Sequence, residues 1–143
     1  MFFEYRKLLK FSTLAFTLVT PVVGQVTCFG NVTGPPSAES LACAQFALPF
    51  CETGGLIHLP GQGSSARCFN NGTKCKCKCD FTIWNGASVG SPLSPPNSAF
   101  CSEILVEIAK ICPLGGQSGE FGLPFNYTLR PGTGSCLPDI TSD

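Results

Sequence analysis

Cysteines are the residues of this chain whose type and number point most clearly to a chemistry. The 143 residues contain ten of them: Cys28, Cys43, Cys51, Cys68, Cys75, Cys77, Cys79, Cys101, Cys112 and Cys136. An even number of cysteines is compatible with complete pairing, and thiols that pass through an oxidising compartment form disulfides. The sequence therefore predicts a disulfide-stapled extracellular protein.

The run Cys75-x-Cys77-x-Cys79 allows a second chemistry, because zinc and copper sites also use clustered thiolates. In an exported chain with many other cysteines, disulfides are the favoured interpretation, and we predict no metal and no cofactor. Cysteines two apart along a strand have Cβ atoms about 7 Å apart, too far to bridge one another. Each cysteine of the run is therefore expected to pair elsewhere.

Groups that could move protons are scarce. His58 is the only histidine, so a ribonuclease of the two-histidine type is excluded. Glu103 and Glu107 lie one helical turn apart and could form a carboxylate pair for glycoside chemistry, but with Lys110 they fit a solvated helix face better. We predict a non-enzymatic binding protein. The alternative is a small secreted hydrolase or hydrolase inhibitor, which a buried His58 beside a carboxylate would favour.

A basic stripe is the candidate binding surface. Lys74, Lys76 and Lys78 alternate along one segment, and Arg67 lies on the preceding one. Lysines on an edge strand also protect against aggregation, which is the competing interpretation. As a contact surface, the stripe would bind an anionic cell-surface component or an acidic face of a host or competitor protein.

Residues 1–24 have the pattern of a secretory signal peptide. Arg6, Lys7 and Lys10 precede an apolar run over 11–19, which is shorter than the roughly 20 residues that a membrane span needs. No later segment is apolar enough to span. The sequence thus predicts an exported protein.

The mature chain is expected to be one disulfide-rich domain over 25–143, monomeric, with specificity in the loops 52–65 and 85–97. Six basic and eight acidic residues remain after cleavage, a net charge of −2, so nucleic acid is not an expected partner.

Three sequons follow the signal segment and predict N-linked glycans. Their acceptors are Asn31, Asn71 and Asn126, each followed two residues later by threonine. Asn71 lies in the turn-like run Asn-Asn-Gly-Thr, which makes it the strongest of the three candidates.

The elements that must position these residues follow from periodicity. Ser37 is a candidate N-cap for a helix over 38–48 that Pro49 would end, and a second helix is predicted over 98–111. Strands are predicted over 26–29, 66–69, 74–84 and 124–129. From 74 to 84, cysteines and apolar residues alternate with charged ones, so one face should be buried, although Trp84 breaks the pattern at an outward position.

The order strand, helix, strand, strand, helix, strand predicts an α+β fold. Its four-stranded antiparallel sheet would carry both helices on one face, in the ferredoxin-like split βαβ arrangement. The glycine-rich segment after the second helix is interpreted as a turn.

This architecture and cysteine number resemble the small secreted cysteine-rich proteins of fungi. The βαββαβ order is similar to that of the smut-fungus killer toxins and of the plant-pathogen effectors that share their α/β-sandwich fold. A second killer toxin type resembles the C-terminal part, where Cys101 to Cys112 is followed by Phe125-Asn-Tyr127 and Cys136. The resemblance implies a non-enzymatic secreted factor that acts on another organism or its defences.

Overall fold

The computed structural model describes residues 24–55, 58–72, 76–92, 95–119 and 122–136. The predicted signal peptide, residues 1–24, lies outside these residues except for Gly24. The described chain folds into a mixed structure of α-helices and one antiparallel sheet. In chain order, the elements are β1 (Thr27–Cys28), a 3-10 turn (Phe29–Asn31), α1 (Ala38–Ala44), α2 (Ala47–Gly55), β2 (Ser64–Asn71), β3 (Cys77–Asn85), α3 (Ser98–Ile111), β4 (Gly116–Gly119) and β5 (Phe125–Thr133).

The sheet has five strands in the order β1-β4-β5-β3-β2, and all neighbours are antiparallel. The predicted four-stranded βαββαβ arrangement is therefore wrong in detail. One split βαβ unit is present, because β3 and β4 flank β5 and are connected through α3. However, β1 lies at the outer edge beyond β4, unlike the predicted arrangement, and the described helices number three instead of two.

Strand β4 lies in the glycine-rich segment after the second predicted helix, which the sequence predicts to be a turn. Gly116 has no side chain, and a Cβ there would lie 2.6 Å from the Thr27 carbonyl oxygen. At the preceding Gly115, with φ +77°, a Cβ would clash with the Leu129 carbonyl oxygen. Glycine is thus required here because three backbones approach closely, and not because the chain turns freely.

The segment 38–48, predicted as one helix, contributes to two helices, α1 and α2. Ser37 caps α1 as predicted, because its Oγ accepts from the Ser40 amide at 3.0 Å. The helix ends at Ala44, and α2 begins at Ala47. Pro49 does not end a helix; it lies in the first turn of α2, where its missing N–H has no intrahelical partner to lose.

The core lies between the sheet and the three helices. Along β3 the odd positions Cys77, Cys79, Phe81 and Ile83 are buried, as the alternation predicts. Helix α3 begins and ends where predicted and buries Ile104, Leu105 and Ile108 against the same face. Phe100, in its first turn, is 42% exposed.

The prediction of a disulfide-stapled chain is confirmed. The described bridges join β1 to the end of α3, α1 to β3, α2 to α3, and β2 to the segment after β5. They are Cys28–Cys112, Cys43–Cys79, Cys51–Cys101 and Cys68–Cys136. Cys77 is disulfide-bonded as well. Cys75 lies outside the described residues. Each cysteine of the run 75–79 is expected to pair with a distant partner, and the structure describes such a partner for Cys79, which bridges β3 to α1.

No helix in the described part of the chain has the length and hydropathy needed to cross a membrane.

Candidate functional site

The two faces of the sheet differ in what covers them. The inner face carries the buried residues of β3 and β5 and packs against the helices. None of the described helices lies over the other side, called here the outer face. Its central positions are Ser64, Ala66, Thr82, Trp84, Asn126, Thr128, Gln117 and Thr27, which the strand register places side by side.

Trp84 is the large aromatic residue of this surface. It stands near the end of β3, opposite Ser64 on one neighbouring strand and Asn126 on the other. Its side chain is 39% exposed, although large aromatic residues are usually buried. An exposed indole among hydroxyl and amide groups provides a flat apolar surface with hydrogen-bonding groups around it.

Side-chain hydrogen bonds hold the loop that follows Trp84 and Asn85. The Asn85 side chain is 1% exposed, donates to the Leu59 carbonyl at 2.9 Å and accepts from the Ala87 amide at 3.0 Å. The Gln62 side chain donates to the Ala87 carbonyl at 2.9 Å, which ties the two loops together. These contacts fix the strand end and therefore the direction of the indole.

Gly86 lies against the indole ring of Trp84. A Cβ on this residue would be 2.8 Å from Cζ3 of Trp84 and 3.2 Å from the Pro124 carbonyl oxygen. We therefore expect Gly86→Ala to displace the Trp84 ring without unfolding the chain, which would shift tryptophan emission. Trp84 is the only tryptophan, so the emission reports this position directly. Gly34→Ala, where nothing lies within 4 Å of the added carbon, is the matched control, and identical spectra for the two variants would contradict the packing described.

Charged residues occupy the opposite end of the outer face. Lys78 and Asp80 form an ion pair at 3.0 Å, and both side chains are about a third exposed. The Arg130 guanidinium lies 4.4 Å from the centre of the Phe29 ring. A half-exposed pair of this kind contributes little to stability, so these charges define surface chemistry more than fold.

The predicted basic stripe is not gathered on one face. Lys78 stands opposite Asn70 on the outer face, whereas Arg67 stands opposite Phe81 and so belongs to the helix side of edge strand β2. Lys76 is exposed in a bend before β3, and Lys74 lies outside the described residues. The ion pair with Asp80 further reduces the positive charge that Lys78 offers to an anionic partner.

The three sequons have different environments. Asn31 is exposed, and Asn126 is exposed on the outer face. Asn71 is only 4% exposed, and its amide nitrogen donates to the Ala42 carbonyl at 3.5 Å. The candidate that the sequence favours most is thus the one with the least room for a glycan.

No described ion pair joins the candidate catalytic groups. His58 is exposed and, within the described chain, has no carboxylate at ion-pair distance. Glu103 is exposed on α3, and no described ion pair connects Glu103, Glu107 or Lys110. Across the ranges that the structure describes, no cluster of three or more histidine, cysteine or acidic residues could hold a metal ion.

A small groove lies elsewhere, where the start of α1 meets the end of α3. Its volume is about 230 Å³, and its lining is Ser37, Glu39, Pro113, Leu114, Pro131, Gly132 and Thr133. It contains no aromatic side chain, and it is smaller than most small-molecule sites.

A family model matches about two thirds of the chain. No curated protein matches the chain. The model of a family described as glycan binding domain Y3 matches residues 42–136, which are 95 of the 143 residues and include β2, β3, α3, β4 and β5. Trp84 and its neighbours Ser64 and Asn126 lie within the matched segment, and this chain belongs to the glycan binding domain Y3 family.

Proposed function

We propose that this protein is a secreted, non-enzymatic glycan-binding protein that binds its carbohydrate on the outer face of the sheet, with Trp84 as the platform. Membership of a glycan-binding family implies a carbohydrate partner and a binding role. The observation that carries the proposal is the exposed indole on an open sheet face, where its cross-strand neighbours are hydroxyl and amide side chains.

The chemistry of sugars explains why this surface suits them. A pyranose ring presents a flat patch of C–H groups on one side and hydroxyl groups around its edge. The C–H patch packs on the indole face, as apolar groups do on aromatic rings. Hydroxyl groups need donors and acceptors nearby, and Ser64, Asn126 and Thr82 supply both around the ring.

The outer face is favoured over the groove for two reasons. The groove has no aromatic platform, and it includes Ser37 and Glu39, which precede the matched segment 42–136. A shallow surface also fits the stapled frame, in which the sheet is rigid and binding needs no closure.

The cellular setting is part of the proposal. The signal-like segment 1–24 and the disulfides support export to an oxidising environment, and the mature domain would then be 25–143. The cysteine-rich chain fits a small fungal-type protein. We infer that it acts as an effector or toxin-like factor on glycans of a host or competitor cell surface, and that the exposed Asn31 carries a glycan of its own.

A glycan array probed with the folded, oxidised chain tests the function. We expect the chain to bind a restricted set of oligosaccharides. Adding the most tightly bound of these in solution should change the fluorescence emission of Trp84, and the change should saturate as the oligosaccharide concentration rises. Mass spectrometry of that oligosaccharide after prolonged incubation should recover it intact. The reduced and alkylated chain is the control, because the outer face requires the stapled sheet.

Two results would count against the proposal. Absence of binding across a broad array would remove the carbohydrate partner. Cleavage of the bound oligosaccharide would replace the binding role with hydrolysis and return attention to His58, Glu103 and Glu107.

A further inference from the structure

One sequon lies on the proposed binding surface itself. Asn126 on β5 stands directly opposite Trp84 on β3, and its side chain is exposed. Thr128, which completes the sequon, lies on the same face because residues two apart along a strand point the same way. Directly opposite residues of antiparallel strands have Cβ atoms about 5 Å apart. The acceptor side chain and the indole are therefore immediate neighbours.

The surroundings of Asn126 leave its amide available. No described residue hydrogen-bonds to its side chain, in contrast to the buried amide of Asn71. The residue opposite it on β4 is Gly119, where a Cβ would lie only 3.1 Å from the Asn126 side-chain oxygen. The absence of a side chain at Gly119 keeps that approach open.

We propose that an N-linked glycan on Asn126 occupies the Trp84 platform and prevents the protein from binding external glycans. The inference rests on the proposed function, because it concerns the same surface. The first sugar of such a glycan is attached to the side chain beside the indole, so its local concentration at the platform far exceeds that of a free ligand. The fraction of chains modified at Asn126 would then set the fraction able to bind.

The same geometry distinguishes Asn126 from Asn31. Asn31 ends the 3-10 turn that follows β1, at the edge of the sheet that is separated from β3 by β4 and β5. A glycan on Asn31 has no indole beside it. Modification at Asn31 should therefore leave glycan binding unchanged. The substitution Thr33→Ala, which removes the Asn31 sequon, can thus serve as the background in which Asn126 is tested.

The test uses the full chain with Thr33→Ala, secreted from a eukaryotic host with and without tunicamycin, which blocks N-glycosylation. Site-resolved mass spectrometry measures occupancy at Asn126 and Asn71, and near-ultraviolet circular dichroism checks the fold. Acrylamide quenching of Trp84 reports shielding without any ligand. The same preparations are then applied to a glycan array, before and after native removal of the sugar with a peptide-N-glycosidase.

We expect Asn126 to be occupied and Trp84 to be shielded from acrylamide in the occupied form. Array signals should be about tenfold weaker than for the sugar-free chain and should recover after enzymatic removal. An unmodified Asn126 in the secreted chain would overturn this inference but not the proposed function. Equal acrylamide quenching and equal array binding by the glycosylated and sugar-free forms would do the same. Shielding without array binding by either form would overturn the proposed function and this inference with it.

Discussion

Replacing Trp84 with alanine is expected to weaken glycan binding by about a hundredfold, or roughly 2.7 kcal/mol, while the chain remains folded. Binding energy concentrates on a few large aromatic residues, and this indole is the only tryptophan in the chain. Because 39% of its surface is exposed and it stands on the side away from the core, its removal opens no internal cavity. Isothermal titration with the strongest array ligand measures the loss.

Phe100→Ala is the matched control for this substitution. Phe100 is 42% exposed, a fraction close to that of Trp84, but it lies on α3 and therefore on the helix side of the molecule. Its removal should leave affinity within about twofold of the unmodified chain, the size expected for a residue outside the interface. If both variants bound equally well, or if Phe100→Ala were the weaker binder, the platform would not be Trp84.

The second large effect concerns stability, and it compares two disulfides. Cys43–Cys79 joins α1 to β3 across 36 residues, and both cysteines are fully buried. Cys68–Cys136 spans 68 residues at the edge of the sheet, and Cys68 is exposed. Chain entropy alone favours the longer loop slightly, at about 4.4 against 3.8 kcal/mol. Loss of core packing adds roughly 1–3 kcal/mol to the cost of removing the buried bridge.

We therefore expect the double replacement Cys43→Ala with Cys79→Ala to lower the free energy of unfolding more than Cys68→Ala with Cys136→Ala. Denaturant unfolding followed by circular dichroism compares the two variants under identical conditions. Equal losses would show that unfolded-state entropy dominates, and a larger loss for the Cys68–Cys136 pair would contradict the packing argument.

Local periodicity explains why some elements could be predicted. Helix α3 has an apolar stripe at helical spacing bounded by Asn97, whose side chain accepts from the Ala99 and Phe100 amides, and by Pro113. Strand β3 has a strict alternation from Cys77 to Ile83. Both signals arise from residues close together in sequence, so no knowledge of the rest of the fold is needed.

Other elements depend on contacts that sequence alone does not contain. Strand β4 has two glycines in four residues and forms because β1 and β5 pair with its backbone on both sides. The division between α1 and α2 follows a turn at Gln45, whose residue type carries no breaking signal. In β4, strand pairing overrides local preference.

The candidate site illustrates the same limit. The lysines alternate in sequence and so predict a basic stripe, but the strand register places Arg67 on the other face, and Lys78 forms an ion pair with Asp80, two residues further along the same strand. The informative signal was Trp84, a large apolar residue at an outward position of a regular alternation. Its neighbours Ser64 and Asn126 lie 20 and 42 positions away in the chain, so only the sheet order shows that they form one surface.

Mapping the bound glycan by amide chemical shifts is the most direct test of the account. On titration of the isotopically labelled chain with the strongest array ligand, the largest changes should fall on β3 around Trp84 and on the facing residues of β2 and β5, including Ser64 and Asn126. Changes confined to the groove around Glu39 and Pro131, with Trp84 unperturbed, would contradict it.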